Sequence, residues 1–571
     1  MERFFVSRPI FAICIALAIV LLGAISIFDL SIEQYPDITP PVVEVTASYS
    51  GADAETVNDA VATPVAQSVM GVSDMLYMQS TSANDGSMVL QVVFDVGTDP
   101  DLDAIFTQNN VATSTALLPS SVVTQGVVTQ KTMTGFLMVF ALHSDGRYDN
   151  EFLSNYAYIN LQNQLLKING VGKVSIMGAG EYAMRVWLKP DVLKYYGIPV
   201  SAVTAAIENQ GGIYPAGQFG AEPAPDGTTY TYTVTMPPQI TTPAQFGDIV
   251  VVTTSEGQQI RLCDVAEVSL GSQSYGVSSL FEGKPTALIV IYQEPGSNAV
   301  AVGGKVKAAM ERLSQRFPDG VEAATIVDST TSIDAGVKDI FRTLVIALIL
   351  VIFIIFLFLR DWRVTLVPCI VIPVSLIGAF FVMYLAGFSI NVLSMLAVVL
   401  AVGLVVDDAI VMTENIYVRI EKGMPPKEAG IEGAKEIFFA VISTTITLVA
   451  VFFPIVFMDG MTGRLFREFS IVVSGSVVIS SFAALTFTPM LATKLLVKRE
   501  QQSWFYRKTE PFFEGMNRVY SKSLAAFLKR RWIALPFTVV TILLIGFLWN
   551  TIPAEMAPLE DRSQISINTM G

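Results

Sequence analysis

A chain of 571 residues would usually suggest three or four soluble domains, but 52% of these residues are hydrophobic and only 15% are charged. Much of the chain is therefore expected to lie in lipid. The formal net charge of −14 argues against nucleic acid as a partner, because phosphate binding needs an excess of Lys and Arg. Three Cys and one His supply neither a disulfide framework nor a zinc site, so we expect no metal and no cofactor.

Seven apolar runs are long enough to cross a bilayer core of about 30 Å, which needs roughly 20 helical residues. The runs are 9–28, 343–359, two within the uncharged stretch 364–406, 437–458, 469–493 and 532–554. The first is longer than the apolar part of a secretory signal and does not end in small residues. We interpret it as an uncleaved membrane anchor.

The distribution of Lys and Arg predicts the orientation of these spans. With a cytoplasmic N-terminus, the 494–531 loop also faces the cytoplasm, and it has ten basic and three acidic residues. The opposite side receives residues 29–334, with 13 basic and 32 acidic residues. The large domain is therefore expected outside the cytoplasm. Aromatic and basic residues interleave in the 494–531 loop, which predicts an amphipathic helix on the membrane surface, or alternatively a soluble helix packed on protein.

Between the first two spans, strand and helix patterns alternate and then repeat. The first set has strands at 42–49, 75–82 and 87–96, helices at 56–70 and 101–118, and then a Val-rich strand. The second set has a strand at 136–142, a helix at 150–168, a strand at 173–177, a helix at 299–317 and then a Val-rich strand. Each set predicts a ferredoxin-like β-α-β-β-α-β unit.

The second unit is interrupted by an insertion at about 183–271, with helices of its own near 191–196 and 201–210. The insertion contains a long arm rich in Gly, Pro and Thr, at 217–238. Two interpretations remain open for this arm. It reaches into a neighbouring subunit, or it is a floppy surface loop.

The fourth span carries two adjacent acidic residues, Asp407 and Asp408. A charged aspartate in the middle of a membrane helix costs on the order of 2.5–3.5 kcal/mol. Desolvation and mutual repulsion favour the protonated form, so such a pair is suited to take up and release protons. Adjacent residues on an α-helix differ by about 100°, so both side chains can face the bundle interior but cannot be stacked on the same line. The alternative is that the helix ends near Val406 and the pair lies in headgroup water.

Two further features surround this pair in the sequence. The next span has a polar patch, Ser443 to Thr447, which either helps to conduct protons or bonds back to its own helix. None of the seven apolar runs contains Lys or Arg. A cationic partner for the aspartates is therefore expected from another polypeptide or from a continuation of the chain.

The motifs of the chain resemble the resistance-nodulation-division transporters, specifically the hydrophobe/amphiphile drug exporters of Gram-negative bacteria. The resemblance covers the whole chain. It rests on Phe4-Phe5-Val6-Ser7-Arg8-Pro9-Ile10-Phe11, Tyr49-Ser50-Gly51-Ala52, Gly387-Phe388-Ser389-Ile390-Asn391 and Gly403-Leu404-Val405-Val406-Asp407-Asp408-Ala409-Ile410-Val411. The paired aspartates favour drug export over the heavy-metal exporters of the same group.

The resemblance implies an α-helical membrane bundle with a large periplasmic α+β region of ferredoxin-like porter subdomains. The implied segments are span 1 in 1–30, the first porter subdomain in 31–135, the second in 136–182 and 272–330, a docking subdomain with an intersubunit arm in 183–271, spans 2–6 in 331–498, the amphipathic helix in 499–531, span 7 in 532–554 and the start of a third porter subdomain in 555–571.

The function implied by the resemblance is proton-driven efflux of amphiphilic or hydrophobic compounds across the inner membrane of a Gram-negative bacterium. The transporter would be a homotrimer, completed by a periplasmic adaptor and an outer-membrane channel. Asp407 and Asp408 match the proton-relay carboxylates of the family, and Ser48, Gln125 and Phe136 match its substrate path. An aromatic residue on a strand, as at Phe136, is more often part of the core. Gly178 stands where the family often has a phenylalanine in the substrate pocket, which bears on the substrate range.

The resemblance also predicts that the chain is the N-terminal half of a pump, because family members have twelve spans and this chain has seven. Its last strand is predicted at 564–569. The alternative functions are an inactive assembly piece, or an exporter of other substrates. ATP-driven transport has no support, since Gly303-Gly304-Lys305 lacks the spacing of a phosphate-binding loop.

Overall fold

The computed structural model describes most of the chain, in two compact units. The larger unit comprises 1–355 and 363–496, and the smaller comprises 356–362 and 497–571. The described residues are 2–571 except for 37, 134, 213–216, 224–229, 236–238, 255–256, 273–274, 276, 459, 498–503, 554–564, 566 and 568–571. Four of the six residues of the strand predicted at 564–569 lie outside the described residues, as does part of the arm at 217–238.

The larger unit begins with two helices and then an antiparallel sheet. The elements are α1 (Glu2–Ser7), α2 (Pro9–Asp29), β1 (Val42–Ser48), α3 (Ala54–Val57), α4 (Thr63–Val69), β2 (Met75–Ser82), β3 (Ser87–Phe94), α5 (Pro100–Ser114), α6 (Ser120–Gln125) and β4 (Val128–Thr132). The strand order is β2-β3-β1-β4, with a helix between β1 and β2 and another between β3 and β4. This first α+β unit therefore has the β-α-β-β-α-β arrangement.

The core of the first α+β unit follows from the two periodicities of its sequence. Every second residue of β1 from Val43 to Ala47 is buried, as expected for a strand with one face on a core. Every fourth residue from Val57 to Val69 is buried against it, which is one face of a helix. That helix contains a π-helical turn, Asn58–Ala62, between α3 and α4.

The second α+β unit repeats this arrangement but is split in the sequence. Its elements are β5 (Phe136–Ser144), α7 (Asn150–Tyr156), α8 (Asn163–Leu166) and β6 (Val171–Met177), and then, after the insertion, β14 (Lys284–Gln293), α13 (Ala299–Ser314) and β15 (Val321–Asp328). The main strand order, β6-β14-β5-β15, is the order of the first unit. A π-helical turn, Ala157–Gln162, again interrupts the first helix. In the first unit, by contrast, a short helix, α6, stands between α5 and the Val-rich strand β4, where the sequence predicts that the strand follows directly.

The insertion has its own small core. Its elements are β7 (Tyr182–Leu188), α9 (Pro190–Tyr196), α10 (Val200–Gly211), β8 (Gln218–Phe219), β9 (Tyr232–Thr233), α11 (Pro243–Gly247), β10 (Val250–Thr253), β11 (Gln259–Arg261), α12 (Leu262–Val265) and β12 (Ala266–Ser272). Apolar residues of α9, α10 and α12, among them Leu193, Val203 and Leu262, are buried together. In the arm, β8 pairs with β9, and Phe219 and Tyr232 on this ribbon are exposed.

The chain then completes the second α+β unit and enters the membrane helices. These elements are β13 (Leu280–Phe281), β14 (Lys284–Gln293), α13 (Ala299–Ser314), β15 (Val321–Asp328), α14 (Ser329–Leu359), α15 (Trp362–Leu385), α16 (Val392–Glu421), α17 (Pro426–Phe452) and α18 (Gly460–Leu495). The smaller unit contains α19 (Trp504–Lys529) and α20 (Ala534–Thr551).

Seven helices in the described residues are long and apolar enough to cross a membrane, at the seven predicted places. They are α2, α14, α15, α16, α17 with its 3-10 extension, α18 and α20. Three begin well before the apolar runs predict: α14 at Ser329, α17 at Pro426 and α18 at Gly460. These early turns carry charged residues, so apolar composition alone did not include them.

Candidate functional site

The aspartate pair lies in the middle of one continuous helix. Asp407 is preceded by 15 residues of α16 and followed by 14, so about 20 Å of helix extends in each direction. The alternative that the helix ends near Val406 is therefore wrong. The two carboxyl groups are near the centre of a helix long enough to span a bilayer.

The two faces of α16 differ in burial. One face packs on α18 and is fully buried at every fourth residue from Ala397 to Ala409. The opposite face is exposed among the described residues, and we call it the outer stripe. It comprises Leu396, Leu400, Gly403, Asp407, Val411 and Glu414. A carboxyl group therefore lies within an apolar stripe that the described chain leaves uncovered.

The two aspartates occupy different surroundings. Asp407 is exposed on the outer stripe, while Asp408 is half-buried and turned towards α17, where the hydroxyl oxygen of Thr444 lies 3.5 Å from its Oδ1. Of the two aspartates, only Asp408 is directed towards a neighbouring helix of the bundle among the described residues. Each residue turns the helix by about 100°, so Asp407 lies about 200° around from Val405 on the buried face.

The polar patch on α17 bonds mainly to its own helix. The hydroxyl groups of Thr444 and Thr445 donate to the carbonyl oxygen of Val441 at 2.9 and 2.7 Å, and that of Thr447 donates to Ser443 at 2.8 Å. A hydroxyl group has one proton and two lone pairs. The Thr444 hydroxyl is directed to both the Val441 carbonyl oxygen at 2.9 Å and Oδ1 of Asp408 at 3.5 Å, so its bond to Asp408 is the weaker of the two.

A further polar contact near the two aspartates comes from α18, and the sequence analysis did not predict this contact. The fully buried Ser480 hydroxyl donates to the carbonyl oxygen of Val405 at 2.8 Å, two residues before Asp407. The available signal was the spacing of small residues, since Ser476, Ser480 and Ala484 recur at every fourth position. That spacing permits close approach of membrane helices.

No Lys or Arg in the described part of the chain lies within ion-pair distance of either aspartate. The spans nevertheless contain basic residues, contrary to what their apolar runs suggest. Arg464, Arg467 and Lys494 all lie within α18. The helix is longer than its apolar run, and these residues lie near its two ends.

The three predicted substrate-path residues lie at two different places. Phe136 begins β5 and is 46% exposed, so the interpretation as a core aromatic is wrong. It lines a cavity of about 430 Å³ together with Tyr35, Lys131, Gln293 and other described residues. Ser48 and Gln125 are not among the residues that line this cavity.

Ser48 and Gln125 belong to the first α+β unit. Ser48 is the last residue of β1, half-buried and opposite Ser87. Gln125 ends α6, and its side-chain amide donates to the hydroxyl of Ser50 at 3.0 Å. The fold thus brings Gln125 to the residues that follow Ser48, but places neither in the Phe136 cavity.

Comparison with known proteins gives matches over nearly the whole chain. The model of the AcrB/AcrD/AcrF family matches residues 1–570. The chain is 37% identical to the multidrug/solvent efflux pump membrane transporter MepB of Pseudomonas putida, over 98% of this chain and 54% of that protein. It is 35% identical to the multidrug export protein AcrF of Escherichia coli K12, over 98% of this chain and 55% of that protein.

The chain thus spans about half the length of the curated relatives it matches. A third relative, the multidrug resistance protein MdtF of Escherichia coli K12, is 36% identical over 92% of this chain and 50% of its own length. These matches do not confirm that the chain is an N-terminal half. The family model and the identities together show that this membrane protein belongs to the AcrB/AcrD/AcrF family, the resistance-nodulation-division group that its motifs resemble.

Proposed function

We propose that this chain forms part of an inner-membrane transporter that uses the proton gradient to export amphiphilic or hydrophobic compounds. The observation that carries the proposal is the position of Asp407 and Asp408, two adjacent carboxyl groups in the middle of a membrane helix. Ionisable residues at such positions mark ion pathways and proton relays. Relatives named as multidrug and solvent efflux pump transporters support export as the work that the proton drives.

The proposed proton step uses the different surroundings of the two aspartates. Asp408 is half-buried, with its Oδ1 3.5 Å from the Thr444 hydroxyl, and we assign it as the member of the pair that holds the proton. Asp407 lies on the outer stripe, where a cationic side chain from another membrane segment would stabilise its charged form. Protonation would weaken that ion pair and shift the segment away from α16. Repeated uptake and release would convert a proton gradient into helix movement.

The proposed orientation has the N-terminus in the cytoplasm and both α+β units in the periplasm, with α19 on the membrane surface. The acidic balance of residues 29–334 and the basic balance of the 494–531 loop support it. By family membership we assign the two α+β units as porter subdomains and the insertion as a docking subdomain. We also propose a homotrimer that works with a periplasmic adaptor and an outer-membrane channel. The exposed aromatic residues of the arm are suited to contact a neighbouring subunit.

We propose that substrates are recognised partly by Phe136. Its exposed ring at the rim of an open cavity offers a flat apolar surface to an amphiphile. Replacing Phe136 by Ala should weaken the binding of a fluorescent amphiphile about tenfold. The bond from Ser329 to Phe136 would remain, because it uses the backbone oxygen. Unchanged affinity would remove Phe136 from the substrate path.

The relay is tested in the native polypeptide that contains this chain, reconstituted in liposomes with an imposed pH gradient. Asp407→Asn and Asp408→Asn should each abolish dye export while the amount of folded protein is unchanged. Glu414→Gln is the matched control, since it makes the same chemical change on the same stripe, two turns away. Export by Asp408→Asn at the native rate would reject the relay. Export that is insensitive to the pH gradient would reject proton coupling, and no export by the native polypeptide would leave an assembly role.

A further inference from the structure

The first turns of α18 hold three charged side chains, Arg464, Arg467 and Glu468, that the proposed relay does not use. Arg464 and Glu468 are four residues apart and therefore lie on the same face of the helix. The guanidinium of Arg464 donates to the carbonyl oxygen of Val96, in the turn between β3 and α5. The carboxylate of Glu468 accepts a hydrogen bond of 2.6 Å from the side-chain amide of Asn391. One turn of α18 thus contacts both the first α+β unit and the start of α16.

The contact of Arg464 is closely fitted to the turn that it meets. Gly97, the residue after Val96, has a φ of +101°, a conformation that favours glycine. A side chain at Gly97 would overlap the guanidinium. The turn is also flanked by Asp95 and Asp99, so a cation complements its charge. Arg464 is therefore suited to follow any displacement of this turn.

The contact of Glu468 acts on the helix that carries the aspartate pair. Asn391 is fully buried, and its Oδ1 accepts from the backbone N–H groups of Leu393 and Ser394 at 3.0 and 2.9 Å. It is the N-cap of α16. By binding the other end of the same amide, Glu468 holds this cap in place. We regard Glu468 as a positioning residue for α16.

A second contact joins the same two helices beside the aspartates. The bond from Ser480 to the Val405 carbonyl lies 12 residues along α18 from Glu468, and Val405 lies 14 residues along α16 from Asn391. Together the two contacts tie α18 to α16 at the cap and next to Asp407. A movement of α16 is therefore passed to α18 rather than absorbed between the helices.

We propose that Arg464 and Glu468 form a joint through which proton binding at the aspartate pair displaces the first α+β unit. The path runs from α16 through the Asn391 cap to Glu468, and from Arg464 to the turn at Val96. The second α+β unit needs no such joint, because β15 continues directly into α14. This inference rests on the proposed function, since it assigns a mechanical output to the same relay.

If the joint transmits this movement, variants of Arg464 and Glu468 should lower the export rate without weakening substrate binding. In the native polypeptide, Arg464→Ala and Glu468→Ala should each lower proton-driven dye export about tenfold. Equilibrium binding of the same dye should change by less than about twofold, because the joint does not touch the substrate. Arg464→Lys keeps a donor and Glu468→Gln keeps an acceptor, so both should restore most of the export. Lys338→Ala, which removes the cation of an exposed ion pair, is the control and should export normally.

The double variant tests whether the two residues act in one path. If they act in series, Arg464→Ala with Glu468→Ala should export no more slowly than the slower single variant. Independent losses that multiply would overturn the joint, as would native export in both single variants or a parallel loss of dye binding and folded protein. Asp408→Asn is measured beside them. If it alone abolishes export, the joint fails and the relay stands; if it exports normally, the proposed function itself fails.

Discussion

The two α+β units share one topology but differ in how their last strand is held. Both have the same strand order, and both have a π-helical turn within the first helix. In each unit an ion pair joins the second helix to the last strand. The pair is Lys131 on β4 with Asp101 on α5 in the first unit, and Lys307 on α13 with Asp328 at the end of β15 in the second.

The two ion pairs lie in different surroundings. The carboxylate of Asp101 is 70% exposed, 2.7 Å from its lysine. That of Asp328 is 15% exposed, 2.5 Å from its lysine, and also accepts from the backbone and hydroxyl of Thr330 in the first turn of α14. Burial acts to raise the pKa of Asp328, but the bonds from Lys307 and Thr330 and the lysine charge outweigh it and lower the pKa. The same topology thus has a largely covered carboxylate in its ion pair only where the unit continues into a membrane helix.

The largest expected effect tests whether the two units have independent cores. Phe94 is fully buried in the core of the first unit. Phe94→Ala should therefore destabilise that unit by about 3–5 kcal/mol. Hydrogen exchange of the purified protein should show faster exchange in β1–β4 and unchanged exchange in β5, β14 and β15. Equal acceleration in both units would mean that they unfold as one.

The next largest effect is expected for the ion pair of the second unit, Lys307 with Asp328. Asp328→Asn should destabilise the junction of β15 and α14 by about 1.5–3 kcal/mol near pH 7, because charge-assisted hydrogen bonds are lost. A carboxyl group with a lowered folded-state pKa contributes stability that is present above its usual pKa and is lost as the pH falls through the folded value. Hydrogen exchange at this junction should therefore differ between native protein and variant at pH 7 and converge in acid. A difference that persists unchanged at low pH would contradict the role of the charge.

Smaller effects on stability are expected at two glycines of the second unit, where alanine would either overlap a neighbour or favour the helix. A Cβ at Gly178 would lie 2.5 Å from the hydroxyl oxygen of the fully buried Ser154, so Gly178→Ala should cost about 1–2 kcal/mol. At Gly304, within α13, a Cβ meets nothing within 4 Å. Gly304→Ala should instead stabilise the helix by up to about 1 kcal/mol. Midpoint temperatures of thermal unfolding that shift in opposite directions in the two variants would support this packing, and equal shifts would refute it.

The smallest effect is expected for the exposed ion pair of the first unit. Lys131→Ala should change stability by less than about 1 kcal/mol, because solvent screens the pair with Asp101. Added salt should remove most of whatever difference thermal unfolding detects. A loss as large as that of Asp328→Asn would abolish the contrast between the units.

Much of the fold could be predicted from local sequence patterns. The seven spans, the alternating strand of Val43 to Ala47 and the helix of Val57 to Val69 are each visible in a short window, because side-chain periodicity reports burial directly. The boundaries were less accurate where charged residues are accommodated by distant partners. The helix α18 begins before its apolar run, and in these early turns Arg464 and Glu468 bind Val96 and Asn391. Val96 and Asn391 lie 368 and 77 positions away in the chain, so a short stretch of sequence around α18 contains neither partner.

The candidate site, like the fold, could be predicted only in part from the sequence. Composition and spacing alone place Asp407 and Asp408 in the middle of a membrane helix, since only length and hydropathy are needed. Tertiary structure decided that Asp407 lies on an uncovered stripe, that Asp408 meets Thr444 and that Ser480 binds beside them. Those contacts join residues 36 and 75 positions apart in the chain. They depend on which faces of three helices meet, and a helix's own periodicity shows that it has a buried face but not which neighbour covers it.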